Sequence, residues 1–124
     1  MHQPRVLLAE DDASLRALYK EIFIHNNFAV SEAEDGQIAI DMAVTDRPDA
    51  IVLDLMMPRQ GGLAALRIFR TLPETKDLPI FILTALPNPD YQKMAEGRVQ
   101  GYFLKTETKP QELVEKVRAF LTER

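Results

Sequence analysis

Val6-Leu7-Leu8-Ala9-Glu10-Asp11-Asp12 is an apolar run that breaks directly into three acids. A short apolar run bounded by polar residues reads as a buried strand. The same form returns at Ala50-Ile51-Val52-Leu53 before Asp54, at Ile80-Phe81-Ile82-Leu83 before Thr84, and at Tyr102-Phe103-Leu104 before Lys105. Ala50–Leu53 and Ile80–Leu83 are apolar throughout, as strands covered on both faces should be. A further run, Phe28–Val30, continues into Ser31 and is more polar, which suits an edge strand.

Between these runs the spacing changes to that of helices. Leu15, Leu18, Tyr19, Ile22 and Phe23 fall on one face of an amphipathic helix. Ile38, Met42 and Ala43 suggest a second helix, and Leu63, Leu66, Arg67 and Phe69 a third. A fourth, around Tyr91–Glu96, is short and weakly patterned; Leu113, Val114, Val117, Phe120 and Leu121 mark the last. Thr108-Lys109-Pro110-Gln111 reads as a capping box opening that helix, with the proline in its first turn. Strand and helix thus alternate, which predicts a mostly parallel sheet with helices on both faces.

Composition narrows the chemistry. A chain of 124 residues fits one domain, residues 1–124, and can bury a core without metal or disulfide staples. With no Cys, a disulfide framework, a thiolate zinc site and a Cys nucleophile are all excluded. The start, Met1-His2-Gln3-Pro4-Arg5, does not read as a signal peptide, and no apolar run approaches the ~20 residues of a membrane span. The net charge of −4 disfavours a nucleic-acid module, which normally carries a basic face. A cytoplasmic, single-domain protein is expected.

In open α/β sheets, ligands bind outside the carboxyl ends of the strands. Glu10, Asp11, Asp12, Asp54, Thr84 and Lys105 all arrive at that edge. Taken singly, each has an ordinary explanation. Asp12 or Ser14 suits a helix N-cap, Thr84 a strand-end hydroxyl bonded to backbone, and Lys105 a solvated charge or a partner to one acid. Asp54 fits such an explanation least, because a carboxylate closing an apolar strand is costly unless paired, protonated or metal-bound. Taken together, clustered carboxylates call for a divalent cation, and all-oxygen ligands point to a hard one such as Mg²⁺. A hydroxyl and an ammonium beside them suit phosphoryl oxygens, and the set is what phosphoryl transfer onto an Asp needs.

On these residues the chain resembles the receiver domain of two-component response regulators. The likeness runs through Val6–Asp12, Asp54-Leu55-Met56-Met57-Pro58 with Gly62 following, Thr84-Ala85, and Gly101-Tyr102-Phe103-Leu104-Lys105. No single motif is specific; their order and spacing along essentially the whole chain are. The resemblance implies a (βα)5 flavodoxin-like, doubly wound α/β sheet in the order 2-1-3-4-5, which sets Glu10 and Asp11 beside Asp54. Asp54 would be the phosphoacceptor. Asp11 and Asp54 would ligate Mg²⁺ directly (Mn²⁺ being the alternative), with Glu10 acting through water and the carbonyl of Met56 adding a ligand. Thr84 and Lys105 would hold the phosphoryl oxygens.

The resemblance further implies a switch rather than an enzyme with small-molecule turnover. Thr84 would be drawn toward the new phosphoryl group and Tyr102 would rotate into the space it leaves. The face made by the fourth helix, fifth strand and fifth helix would then change its affinity for a downstream protein. The alternative for Tyr102 is an edge-strand aromatic packed for stability. The phosphodonor would be a sensor histidine kinase or a histidine phosphotransfer protein. No direct nucleic-acid binding and no membrane insertion are expected, and the state would be monomer or weak homodimer. The chain would be either a stand-alone regulator or a receiver from a longer protein.

Departures from the family pattern carry expectations of their own. Thr106 follows Lys105 where the family usually has proline and a cis peptide, so a trans bond or an altered loop is expected. Leu86-Pro87-Asn88-Pro89-Asp90 should stiffen the loop before the fourth helix and delay its start. Met56 and Leu86 stand where family members often position the attacking water, and neither can do so; slow loss of the phosphoryl group follows. Three other readings compete less well. A phosphohydrolase would want an acid at Met56 and a substrate cap. A pseudo-receiver would have lost an acid, the Thr or the Lys. A flavodoxin would not place Glu10-Asp11-Asp12 against a flavin phosphate.

Overall fold

The computed structural model describes residues 3–57, 61–85 and 87–123. Among them strands and helices alternate: β1 (Arg5–Ala9), α1 (Ala13–His25), β2 (Ala29–Ala33), α2 (Gly36–Thr45), β3 (Ala50–Leu53), α3 (Gly62–Thr71), β4 (Ile80–Thr84), α4 (Pro89–Ala95), β5 (Gly101–Leu104) and α5 (Pro110–Thr122). The strands form one sheet in the order β2-β1-β3-β4-β5. Every pairing is parallel, so each connection must cross over, and the helices supply the crossovers. The flavodoxin-like α/β order expected from the resemblance is the order found.

Alternation along the strands divides the core into two layers. Leu7, Ala9, Ile51, Leu53, Ile80 and Ile82 pack with Ala39 and Ala43 of α2, Leu66 and Phe69 of α3, and Ala95 of α4. Val6, Leu8, Ala50, Val52, Phe81 and Leu83 pack with Tyr19 and Phe23 of α1 and with Leu113, Val114 and Val117 of α5. The central strands β3 and β4 are buried along their whole length, whereas β2 and β5 are only half-buried, as edges are. Among the described residues no helix is long and apolar enough to cross a membrane.

Four local expectations need correction. Leu18 is 46% exposed, while Tyr19 and Phe23 are buried. Each residue turns a helix by about 100°, so Leu18 and Phe23 lie on opposite margins of the apolar stripe, and the core covers the Phe23 margin. The second strand begins at Ala29; Phe28 precedes it and stacks edge-on against Phe23 at 5.1 Å. At the last helix Lys109 takes the cap position without a side-chain bond, because Pro110 fits the first helical position. Gln111 closes no capping box: it exchanges amide hydrogen bonds with Asn26 at the end of α1. Finally, α4 is not delayed. Pro89 opens it, and the Asn88 side chain accepts from the backbone N–H of Asp90 and Tyr91.

Candidate phosphoacceptor and metal site

The sheet order places the acids. Ala9 and Leu53 are partners in the β1–β3 ladder, and the Asp54 N–H continues it by donating to the Ala9 carbonyl at 3.1 Å. Glu10 donates its own N–H to Ala33 on the other side, at 3.0 Å. Glu10 and Asp54 are therefore delivered side by side, and both are buried, at 3% and 4% exposure. Asp11 follows Glu10 and is exposed. Carboxylate oxygens of Glu10, Asp11 and Asp54 lie within 4.8 Å of one another, a cluster able to hold a divalent cation. Asp12 does not join it: its side chain accepts from Ser14 and Leu15 N–H and caps α1, so of the two candidate caps it is Asp12, not Ser14, that serves.

Lys105 enters from β5. Its backbone N–H donates to the Thr84 carbonyl at 2.8 Å, which carries the β4–β5 ladder one residue past the strand. From there Nζ reaches Glu10 Oε1 at 2.5 Å and Asp54 Oδ2 at 3.2 Å. Burial works against the ammonium charge, but the hydrogen bond to Glu10 and the charges of Asp54 and Glu10 outweigh it and hold its pKa above the usual value. Partial desolvation, then the hydrogen bond with Glu10, pushes the Asp11 carboxyl the other way for its charge, upward from the ordinary carboxylate value. Among the described residues no peptide bond is cis, so the Lys105–Thr106 bond is trans, one of the two outcomes expected there. The loop turns back through an N–H bond from Glu107 to the Leu104 carbonyl at 3.0 Å.

Two hydroxyls stand out by lacking partners. Thr84 is 1% exposed, and its Oγ1, like the buried hydroxyl of Tyr102, has no hydrogen-bond partner among the described residues. The ordinary explanation for Thr84, a hydroxyl bonded to backbone, is thereby excluded. Tyr102, like Tyr91 and Val99, packs against the core layer that α2, α3 and α4 cover. Met56 is 43% exposed, and its backbone N–H donates to Asp54 Oδ1 at 3.1 Å. Asp54 is thus held by an N–H on one oxygen and an ammonium on the other. Leu86 and Pro58 lie outside the described residues.

Two contributors to the site were not assigned roles from the sequence. A Cβ on Gly62 would fall 2.2 Å from the Asp54 carbonyl oxygen, so only glycine lets α3 begin against the end of β3. Arg16 donates from Nη1 to the Glu10 carbonyl at 2.7 Å. Its signal is weak in sequence, since an arginine on the flank of an amphipathic helix is ordinarily a surface charge.

With oxygen donors, an ammonium and a free buried hydroxyl at one strand edge, the arrangement suits a phosphoryl group beside a hard cation. Comparison with known proteins agrees. Residues 6–118 match the response regulator receiver domain family. The response regulator MprA of Mycolicibacterium vanbaalenii is 43% identical over 81 residues, 65% of this chain and 34% of that protein. The match therefore spans about a third of the relative's length. Among solved structures, the receiver domain of a Francisella response regulator is 29% identical with a TM-score of 0.87, covering 97% of this chain and 98% of that one. A putative response regulator from Chloroflexus aurantiacus is 26% identical with a TM-score of 0.88, covering 98% and 99%. Sheet order, acid cluster and family match coincide: the chain belongs to the response regulator receiver domain family.

Proposed function

We propose that Asp54 is the phosphoacceptor of this receiver, in a single domain spanning residues 1–124. The observation that carries the assignment is a buried carboxylate lying one strand from a buried Thr84 hydroxyl that has no partner among the described residues. A carboxylate oxygen of Asp54 forms the new bond to phosphorus. The donor's P–N bond, in a phosphohistidine, or P–O bond, in an acyl phosphate, breaks with its electron pair leaving on the donor. Lys105 and Thr84 take up the phosphoryl oxygens, which gives the Thr84 hydroxyl the acceptor it lacks.

The donor set fits a hard cation. Asp11 and Asp54 would hold Mg²⁺ directly, Glu10 through water, and the Met56 carbonyl would complete the protein's share; Mn²⁺ is the alternative. When bound, the ion neutralises the carboxylates and the charge on the transferring group. Movement of Thr84 toward the phosphoryl group would free space for Tyr102, coupling the site to the α4–β5–α5 face. The donor would be a histidine kinase or histidine phosphotransfer protein in the cytoplasm, and the reader of that face a downstream protein. The chain itself would act as a monomer or weak homodimer.

The test is intact mass after incubation with Mg²⁺ and acetyl phosphate, beside Asp54→Ala and a metal-free control. A single phosphoryl adduct dependent on both Asp54 and Mg²⁺ is expected. Adduct formation undiminished in Asp54→Ala would overturn the assignment.

A further inference from the structure

We propose that Arg16 is a positioning residue for the cation site: by holding the Glu10 carbonyl it sets the aim of Asp11. The inference rests on reading Glu10, Asp11 and Asp54 as cation ligands. The other polar groups of Glu10 are already committed. Its N–H donates to Ala33, Oε1 accepts from Lys105, and Oε2 accepts from the Asp12 N–H at 3.2 Å. What remains is the carbonyl of the Glu10–Asp11 peptide, and Arg16 Nη1 takes it at 2.7 Å. That peptide plane is what directs Asp11. Asp11 is exposed, so beyond its hydrogen bond with Glu10 little packing orients its side chain, and its aim follows chiefly from the backbone.

Arg16 is itself braced. Its Nε donates to Glu32 Oε1 at 3.3 Å, and Lys20 Nζ donates to Glu32 Oε2 at 3.0 Å. Glu32 lies in β2 opposite Leu8 of β1, so the brace ties the acid loop to the edge strand rather than to another loop. The side chain of Arg16 is only 18% exposed, unlike a solvated surface charge. Nor is it needed to start α1, because Asp12 already caps that helix with two N–H bonds. Groups that orient ligands from behind in this way typically change metal affinity by about 10–100-fold when removed.

The test is calorimetric titration of the whole chain with Mg²⁺ alone, paired with thermal melts in EDTA, on Arg16→Met, Arg16→Lys, Glu32→Gln and Asp11→Asn. Arg16→Met should weaken Mg²⁺ binding about tenfold. Arg16→Lys, whose ammonium can still donate to the carbonyl, should recover most of that loss. It also serves in place of Arg16→Met should the methionine variant fail to fold, being expected to bind more weakly than wild type by a few-fold. Glu32→Gln breaks the same ion pair but leaves the carbonyl bond, so it should lower the melting temperature comparably and Mg²⁺ affinity far less. Wild-type affinity in Arg16→Met, with binding lost in Asp11→Asn, overturns the positioning role and leaves the cation site standing. Equal affinity losses in Arg16→Met and Glu32→Gln also overturn it, because a general structural role would act that way. Unchanged Mg²⁺ binding in Asp11→Asn would instead remove the cation reading, and the positioning role with it.

Discussion

Lys105 sits closer to Glu10 than to Asp54, its Nζ lying 2.5 Å from Glu10 Oε1 and 3.2 Å from Asp54 Oδ2. The lysine therefore serves as an internal counterion to the acid cluster as well as a prospective phosphoryl contact. The two roles make opposite demands on a cation. Replacing Lys105 with Met leaves Glu10 and Asp54 buried and uncompensated, which should cost about 3 kcal/mol of stability in EDTA. Because the Lys105 pKa is raised on folding, that contribution is fully present at neutral pH and is lost only as pH rises through the raised value. The same substitution should tighten Mg²⁺ binding several-fold while slowing phosphorylation from acetyl phosphate. Urea melts, metal titration and adduct formation followed by intact mass check the three parts.

Asp11 presents the reverse case. Its carboxylate lies within 4.8 Å of those of Glu10 and Asp54, and burial and the Glu10 hydrogen bond raise its pKa. A carboxyl group whose pKa is raised on folding destabilises the fold wherever it is ionised. Asp11→Asn should therefore raise the melting temperature in EDTA at neutral pH. It should also abolish the further rise that Mg²⁺ gives wild type. A variant that melts below wild type in EDTA would show that Asp11 is not under repulsion.

Much of this site was legible because a strand's last residue must emerge at the sheet edge, whatever the helices do. Glu10, Asp54, Thr84 and Lys105 could be read as neighbours once the strand order was expected to be 2-1-3-4-5. The backbone partner of Asp54 could not. Its N–H contact comes from the backbone of Met56, which any residue type would supply. The preference of Lys105 for Glu10 depends on how far the ladder runs past β5, and Thr106 hides that by departing from the family pattern. Leu18 misled for a related reason: an apolar stripe shows which residues share a face, but not how much of it the sheet covers.

Glu32 gives a pH signature outside the acid cluster. The hydrogen bond from Lys20, together with its charge and that of Arg16, holds the carboxyl below the usual Glu value. A depressed carboxyl pKa stabilises the fold above its unfolded value and loses that effect as pH falls through the folded one. The side chain is 34% exposed, so solvent screening keeps the contribution below about 1 kcal/mol. Wild type should exceed Glu32→Gln in stability at neutral pH, and the gap should close on acidification below the ordinary Glu range. A gap that persists unchanged into acid would mean that packing, not charge, separates the two.

Gly62 links the start of α3 to the end of β3. Its N–H donates to the Leu55 carbonyl at 3.2 Å, and an added Cβ would meet the Asp54 carbonyl oxygen at 2.2 Å and Leu55 Cα at 2.4 Å. Both obstacles are backbone, so relief requires α3 to move away from β3 or the Asp54 peptide to turn. Overpacking of this kind should cost about 3 kcal/mol in Gly62→Ala. Phosphorylation should slow beyond what the lost stability explains, measured at a temperature where the variant remains folded. A variant with wild-type kinetics would show that the Asp54 backbone tolerates the shift.

Met56 bears on how long the signal lasts. The residue is 43% exposed two positions after Asp54, and its backbone N–H already holds Asp54 Oδ1. Hydrolysis of an acyl phosphate needs a water aligned behind phosphorus, and a thioether offers only a weak acceptor to align one. The Met56→Asn variant puts an amide carbonyl and two N–H donors at the same place without disturbing the backbone bond. Phosphorylated Met56→Asn should therefore lose its phosphoryl group several-fold faster than wild type, while Mg²⁺ affinity stays unchanged. A timed decay after removal of acetyl phosphate measures this directly. Rapid loss in wild type that Met56→Asn leaves unaltered would place control of the water elsewhere in the site.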